Sequence, residues 1–310
     1  MNKKKRYLVT GGAGFIGSHL TDFLVEQGHE VIVLDNFSTG KEENLNSQAH
    51  TIRGDIQSYD FSSLGIFDGI FHLASLARIY PSIVDPVLAD AVNIHGSVRI
   101  FDYARRTGAK VVFASSSSIY GTQEVLPARE DVNPDIRSPY SLQKLTCEKY
   151  LHLFYRLYDL RFAVLRFFNV YGKRQLDRGG YATIIGIFLR QYAAGEPFTI
   201  IGDGKRRRDF TYVKDTVIAT VNAMNCTSPS LVCNIGTGMS YSIEEVADLV
   251  SPDHPREYLP LRAGEYHETR ADNARAREIL GWQPSVSLPD WLKSARPSIL
   301  AKQSRYQEVV

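Results

Sequence analysis

The sequence predicts an α/β protein: a doubly wound parallel sheet followed by a smaller α/β substrate domain. Three observations carry this. Apolar strand segments alternate with helical segments from Arg6 to about Phe167. A glycine-rich turn joins the first strand to the first helix, and beyond Tyr171 the elements shorten and are broken by Gly and Pro. Strands are expected near 6–10, 30–35, 50–53, 69–73, 110–115 and 162–167, with helices near 15–27, 86–107 and 140–158. The expected division is 1–170 for the first domain and mainly 171–310 for the second. A segment near 210–236, ending in the strand-like Val232-Cys233-Asn234-Ile235-Gly236, is expected to return to the first.

The first strand, Tyr7-Leu8-Val9, runs into Thr10-Gly11-Gly12-Ala13-Gly14-Phe15-Ile16-Gly17 and an amphipathic helix. This reads as a dinucleotide-phosphate loop of the Rossmann type. Gly11 and Gly14 allow a tight turn close to a pyrophosphate, Gly17 allows close packing of helix on strand, and the N–H groups at the helix start, around Phe15 and Ile16, face the anion. A plain glycine-rich turn shows the same trio, so the context decides. The second strand ends in Asp35, eighteen residues past Gly17, followed by Asn36. An acid there accepts hydrogen bonds from the adenosine ribose and repels a 2′-phosphate, which favours NAD over NADP. The third strand leads into Gly54-Asp55-Ile56, where Asp55 is placed to pair with the adenine amino group and Ile56 to lie on its face.

Composition sets outer bounds. With 310 residues, 44% hydrophobic and 23% charged, the chain is long enough for a sizeable core. A net charge of +2 gives no general reason to expect nucleic acid or a membrane partner. No apolar run approaches the roughly 18 residues of a membrane span, and the basic start lacks the apolar stretch of a secretory signal. Cys147, Cys226 and Cys233 are odd in number and lack zinc-site spacing, so no metal site and a cytoplasmic location are expected.

Tyr140-Ser141-Leu142-Gln143-Lys144 puts a phenol and an ammonium four residues apart on one helix face. A neighbouring cation favours phenolate, so Tyr140 is a candidate general acid/base and Lys144 its activator. A surface helix with a half-buried tyrosine has the same spacing. The run Ser115-Ser116-Ser117-Ser118 ends the preceding strand, where such sheets bind ligands. It offers a hydroxyl to share the reacting proton, or simply a polar turn.

The glycine loop, Asp35-Asn36, Gly54-Asp55-Ile56, His72-Leu73-Ala74-Ser75, the serine run before Tyr120-Gly121, the Tyr140/Lys144 pair and Arg166-Phe167-Phe168-Asn169-Val170-Tyr171-Gly172 occur in one order. Together they resemble the extended short-chain dehydrogenases/reductases of the NAD-dependent sugar epimerase/dehydratase group, over all but the last dozen or so residues. The resemblance implies Ser116 as catalytic hydroxyl, Tyr140 as base, and Lys144 as its partner and a ligand of the nicotinamide ribose. Gln143 departs from the family's usual Ser. Asn169 falls where the family holds the sugar-nucleotide diphosphate. Arg208, in Gly202-Asp203-Gly204 to Phe210, and Arg262, in Pro260 to Glu265, fall on its phosphate-binding arginines, with Glu265 near the nucleotide ribose. Thr269, seven residues after Arg262, falls on the position that gates the sugar pocket. Its small side chain implies room for an N-acetyl group, although an ordinary strand residue fits there too.

In the family's 4,6-dehydratases the two residues after the catalytic hydroxyl are Asp-Glu, whereas here they are Ser117 and Ser118. The resemblance therefore implies epimerisation of a UDP-sugar at C4 rather than elimination. A dehydratase, a decarboxylase, a 4-keto reductase and a non-catalytic NAD sensor are the alternatives. A homodimer is expected, with the helix from Pro139 to Leu157 pairing with the one near 92–106.

Overall fold

Segments such as Tyr7-Leu8-Val9 and Val31-Ile32-Val33-Leu34 are apolar at every position, the pattern of strands covered on both faces. The computed structural model describes residues 3–261, 264 and 266–295. Its strands are β1 Arg6–Thr10, β2 Glu30–Asp35, β3 His50–Arg53, β4 Gly69–His72, β5 Lys110–Ser116 and β6 Phe162–Phe167. They continue with β7 Asn169–Tyr171, β8 Phe198–Ile201, β9 Arg207–Tyr212, β10 Ser230–Ile235, β11 Ser240–Ser242 and β12 Arg256–Leu259. The helices are α1 Phe15–Glu26, α2 Ile79–Val84, α3 Pro86–Asp90, α4 Ser97–Thr107, α5 Pro139–Tyr158, α6 Ile184–Ala194, α7 Val213–Asn225, α8 Ile243–Val250 and α9 Ala274–Leu280.

Seven strands form one sheet in the order β10, β6, β5, β4, β1, β2, β3, and every pairing in it is parallel. The chain moves outward from β1 through β2 to β3 and then crosses to β4 on the other side of β1. That reversal opens a crevice at the carboxyl ends of β1 and β4, where ligands bind in such sheets. One face is covered through Leu20, Leu24, Val217, Ala223, Leu280 and Trp282, the other through Ile100, Phe101, Ala104, Cys147 and Leu151. Each such leucine or phenylalanine withdrawn from water stabilises the fold by about 1.5–3 kcal/mol.

A separate cluster of Phe188, Phe198, Ile200, Val246 and Trp291 packs the later elements. There β9 lies between β7 and β11, and β8 pairs with β12. β10 sits at the edge of the large sheet beside β6.

One expected element differs. The helix read over 86–107 is α3, a π-helical turn over Ala91–Gly96, and α4. The cause is Asn93, which is buried. Its side-chain oxygen accepts from Ser75 Oγ (2.8 Å) and Leu76 N (2.9 Å), and its Nδ2 donates to Gln143 Oε1 (2.8 Å). Widening the turn aims this amide at the loop after β4, as π turns at functional sites commonly do. Gln143, the family departure, reaches across to hold it.

Candidate active site

Gly11 adopts φ +73°, and its N–H donates to Leu34 O (2.9 Å), locking the turn after β1 to β2. A Cβ on Gly17 would lie 2.1 Å from Gly11 O, and one on Gly11 2.8 Å from Ala74 N. These are cradles that only glycine fits. No side chain caps α1, so the N–H groups of its first turn, from Phe15, Ile16 and Gly17, are offered to an anion. Asp35 is buried and already braces this loop, its Oδ2 accepting from Ala13 N (2.9 Å) and its Oδ1 from Phe37 N (2.8 Å). Asp55 accepts from Asn36 Nδ2 (2.8 Å) and Gln57 N (2.8 Å). Burial opposes its charge, but these hydrogen bonds hold its carboxyl below the ordinary range. Ile56 is buried with its side chain against Gly96.

These residues fit NAD: a glycine cradle, an uncapped helix start and an acid at the ribose position. Sequence reasoning missed Lys41 and Asn44. Lys41 N (3.0 Å) and Asn44 Nδ2 (3.1 Å) both donate to Ala13 O, folding the loop after β2 over the glycine turn. Gly17→Ala is expected to strip the protein of NAD. Cofactor released on denaturation and measured by chromatography should fall, with binding weakened by about tenfold or more, the equivalent of about 1.4 kcal/mol.

The catalytic candidates converge. β5 ends at Ser116, whose Oγ accepts from Ser118 N (3.1 Å). α5 begins with Ser138 and Ser141 in a reciprocal capping box and Pro139 in its first turn, which places Tyr140 at the helix start. Tyr140 N donates to Ser82 Oγ (3.1 Å), tying α5 to α2. The Ser116 hydroxyl stands close enough to the Tyr140 phenol to favour its ionised form. One turn along, Lys144 Nζ donates to Ala114 O (2.8 Å) and lies 5.8 Å from the Tyr140 ring centre.

Electrostatics differ from the simple expectation for this pair. Burial pushes the Tyr140 phenol above its ordinary value, opposed by the hydrogen bond to Ser116 and by the charge of Arg78. Burial also brings Lys144 down to about 8. The loss of hydration outweighs the pull of neighbouring cations in the protein alone, and the cation that pulls on the phenol is Arg78. Sequence reasoning missed Arg78. It sits in the irregular segment after β4, with neither period nor motif to mark it.

The other serines divide. Ser115 Oγ donates to Glu148 and is structural. Ser117 is buried, as is Ser118, whose Oγ has no partner among the described residues. His72 bridges Thr10 Oγ1 (2.7 Å) and Ser97 Oγ (2.9 Å), and burial drives its pKa down to about 3, so it is a neutral structural link.

Asn169, Arg208 and Thr269 gather around Asp209. Asn169 Nδ2 donates to Asp209 O (3.0 Å), and Asp209 N donates to Thr269 Oγ1 (3.4 Å). Arg208 donates to Arg207 O (2.9 Å) and His267 O (3.3 Å), with its guanidinium 4.7 Å from the Tyr266 ring centre. Asp209 itself, not singled out from sequence, accepts from Thr237 N (2.8 Å), Gly238 N (2.9 Å) and Ala271 N (3.0 Å). Arg207 pairs with Glu245 (3.0 Å). Arg262 and Glu265 lie outside the described residues. Among the described residues no three His, Cys, Asp or Glu side chains group to hold a metal ion, and no helix is long and apolar enough to cross a membrane.

Comparison with known proteins agrees with this geometry. The model of the NAD dependent epimerase/dehydratase family matches residues 7–236. A UDP-glucose 4-epimerase of Mycolicibacterium smegmatis is 40% identical over 300 residues, covering 92% of this chain and 95% of that protein. A UDP-glucuronic acid decarboxylase 1 of Danio rerio is 35% identical over 301 residues, covering 93% of this chain and 71% of that one. The solved UDP-glucose 4-epimerase of Thermotoga maritima, with UDP-glucose, superposes with a TM-score of 0.89 at 37% identity. That match covers 98% of this chain and 100% of the other.

Proposed function

The chain belongs to the NAD-dependent epimerase/dehydratase family, and from that premise we propose that it epimerises a UDP-hexose at C4 through a transient 4-keto sugar. The observation that carries this reading is the meeting of Ser116, Tyr140 and Lys144 at the end of β5, with Ser117 and Ser118 in place of a carboxylic acid pair. Elimination of a hydroxyl needs a general acid that serine does not supply, whereas epimerisation needs only a reversible proton and hydride transfer.

Tyr140, once ionised, takes the proton of O4 as C4 is oxidised, and Ser116 holds the same oxygen. Lys144 keeps positive charge beside the phenolate and would bond the nicotinamide ribose. The glycine loop, Asp35 and Asp55 would hold NAD, which would supply reversible hydride acceptance when bound. The ketone would turn about its diphosphate, which Asn169 and Arg208 would grip, with Arg262 assigned to it by the resemblance alone, and Tyr140 would return the proton when the opposite face is reduced. Binding energy placed on the nucleotide leaves the sugar free to turn.

Incubation with UDP-glucose, followed by NMR, should give UDP-galactose without net NADH. Loss of water, or a stoichiometric change in NADH, would replace this reading by a dehydratase or a reductase. The UDP-glucuronic acid decarboxylase relative makes release of CO2 from a uronate the third product to exclude.

The resemblance assigns Thr269 to the wall of the sugar pocket, where its short side chain would leave room for an acetamido group. Thr269→Tyr is expected to depress turnover of UDP-N-acetylhexosamines selectively, by exclusion worth about 1 to 3 kcal/mol. Equal loss on plain hexoses would place the residue elsewhere.

We also propose a homodimer built on α5. Leu151 is in the core and Tyr150, Phe154 and Tyr155 pack against it, but Leu153, Leu157 and Tyr158 stay exposed along the helix. Light scattering at micromolar concentration is expected to give twice the chain mass.

A further inference from the structure

Arg78 precedes α2 with extended backbone, φ −159° and ψ 151°. Ser82, one turn further, bonds the Tyr140 N–H, so α2 holds Arg78 in a fixed relation to the catalytic helix. Its Nε donates to Tyr181 O (3.1 Å). The two terminal amino groups have no hydrogen-bond partner and the guanidinium no carboxylate among the described residues. Its charge acts on Tyr140 and Tyr266, and burial pulls it below the ordinary arginine value. Tyr266 in turn lies under Arg208. One cation therefore stands at the diphosphate end of the site and a second at the reacting end, with Tyr266 common to both.

A partly buried guanidinium without an anion is costly, and a ligand that brings the anion offsets the cost. A UDP-hexose carries its charge only on the diphosphate, which Arg208 serves, and its sugar ring bears neutral hydroxyls. We propose that Arg78 forms a carboxylate subsite and that, among the sugars the proposed C4 chemistry can serve, the site prefers a UDP-hexuronate, whose C5 carboxylate adjoins the C4 centre on which Tyr140 acts. This rests on the assignment of Tyr140 as the base at C4. The planar fork of Arg suits a carboxylate, and Ser117 and Ser118 add no negative charge to repel it. The reaction stays balanced: the O4 proton goes to Tyr140 and returns, the C4 hydride leaves and returns, and the carboxylate is unchanged.

Calorimetry on the NAD-loaded protein with UDP, UDP-glucose and UDP-glucuronate tests the subsite. Wild type is expected to bind UDP-glucuronate about tenfold or more tighter than UDP-glucose, the range of a charge-assisted hydrogen bond. Arg78→Met should abolish that preference while UDP affinity holds, and Arg78→Lys should keep part of it. Equal affinities for the two sugars in wild type would overturn the proposal. A uniform loss on all three ligands in Arg78→Met would also overturn it, moving Arg78 to the diphosphate. NMR of the products separates this from the reaction assignment. UDP-galacturonate from UDP-glucuronate supports both. A UDP-pentose with CO2 supports the carboxylate subsite and overturns the epimerase reading. Turnover of UDP-glucose with none of the uronate overturns the subsite alone.

Discussion

Tyr140→Phe is expected to lower turnover by about 10² to 10⁴, the usual cost of losing a general acid/base, while UDP and NAD still bind. The substitution removes one oxygen from a buried ring whose place is fixed by the main chain: Tyr140 N on Ser82 Oγ, and Pro139 and the Ser138/Ser141 box at the helix start. The fold therefore loses little. What goes is the group that exchanges the O4 proton and the ionisable oxygen on which Ser116 acts. The residual activity should also change its pH dependence. Tyr140 acts as a base only when ionised, and burial sets the phenol above its ordinary value in the protein alone. The wild-type kcat/KM should thus rise on the alkaline side as the phenol deprotonates, and the Phe variant should lose that limb. Near-normal turnover, or an unchanged pH limb, would remove Tyr140 from the chemistry.

What was legible in the sequence is what local pattern determines. The strands flanking the glycine loop announce themselves because a parallel sheet covered on both faces needs continuous apolar runs. Gly11 and Gly17 stand out because their backbone positions exclude a Cβ. The Tyr140/Lys144 spacing is helical, while the strand end showed only a run of serines, from which the family resemblance singled out Ser116. What escaped depends on contacts between distant segments. The π turn at Ala91–Gly96 exists because Asn93 meets Ser75, Leu76 and Gln143, none of which is near it in sequence. Asp209 collects N–H groups from residues 237, 238 and 271, so its role is visible only when those loops are brought together. Arg78 is the extreme case: its surroundings come from Tyr140, Tyr181 and Tyr266.

Glu148→Ala is expected to cost about 3–5 kcal/mol of stability, the penalty for stranding a buried charge. Glu148 lies on α5 one turn beyond Lys144, and Arg166 lies on β6, with side chains only 3% and 8% exposed. Arg166 donates to both carboxylate oxygens, from Nε (3.1 Å) and Nη2 (2.7 Å), in the bidentate geometry that binds most strongly. Burial works against the guanidinium charge, but the hydrogen bonds and charge of Glu148 more than compensate, holding Arg166 above its ordinary value. The same arginine donates to Tyr120 Oη (2.9 Å), which donates on to Asn234 Oδ1 (2.6 Å) in β10. Ser115 Oγ bonds Glu148 from β5, directly before Ser116. Removing the carboxylate therefore leaves an unpaired cation among β5, β6 and α5 and loosens the strand end that presents the catalytic hydroxyl. Urea unfolding measures the loss. The Glu148→Leu/Arg166→Met double variant should recover most of it, because no buried charge is then left alone. A loss below about 1 kcal/mol in Glu148→Ala, the worth of an exposed pair, would mean that water reaches Arg166 and that the network does not brace the site.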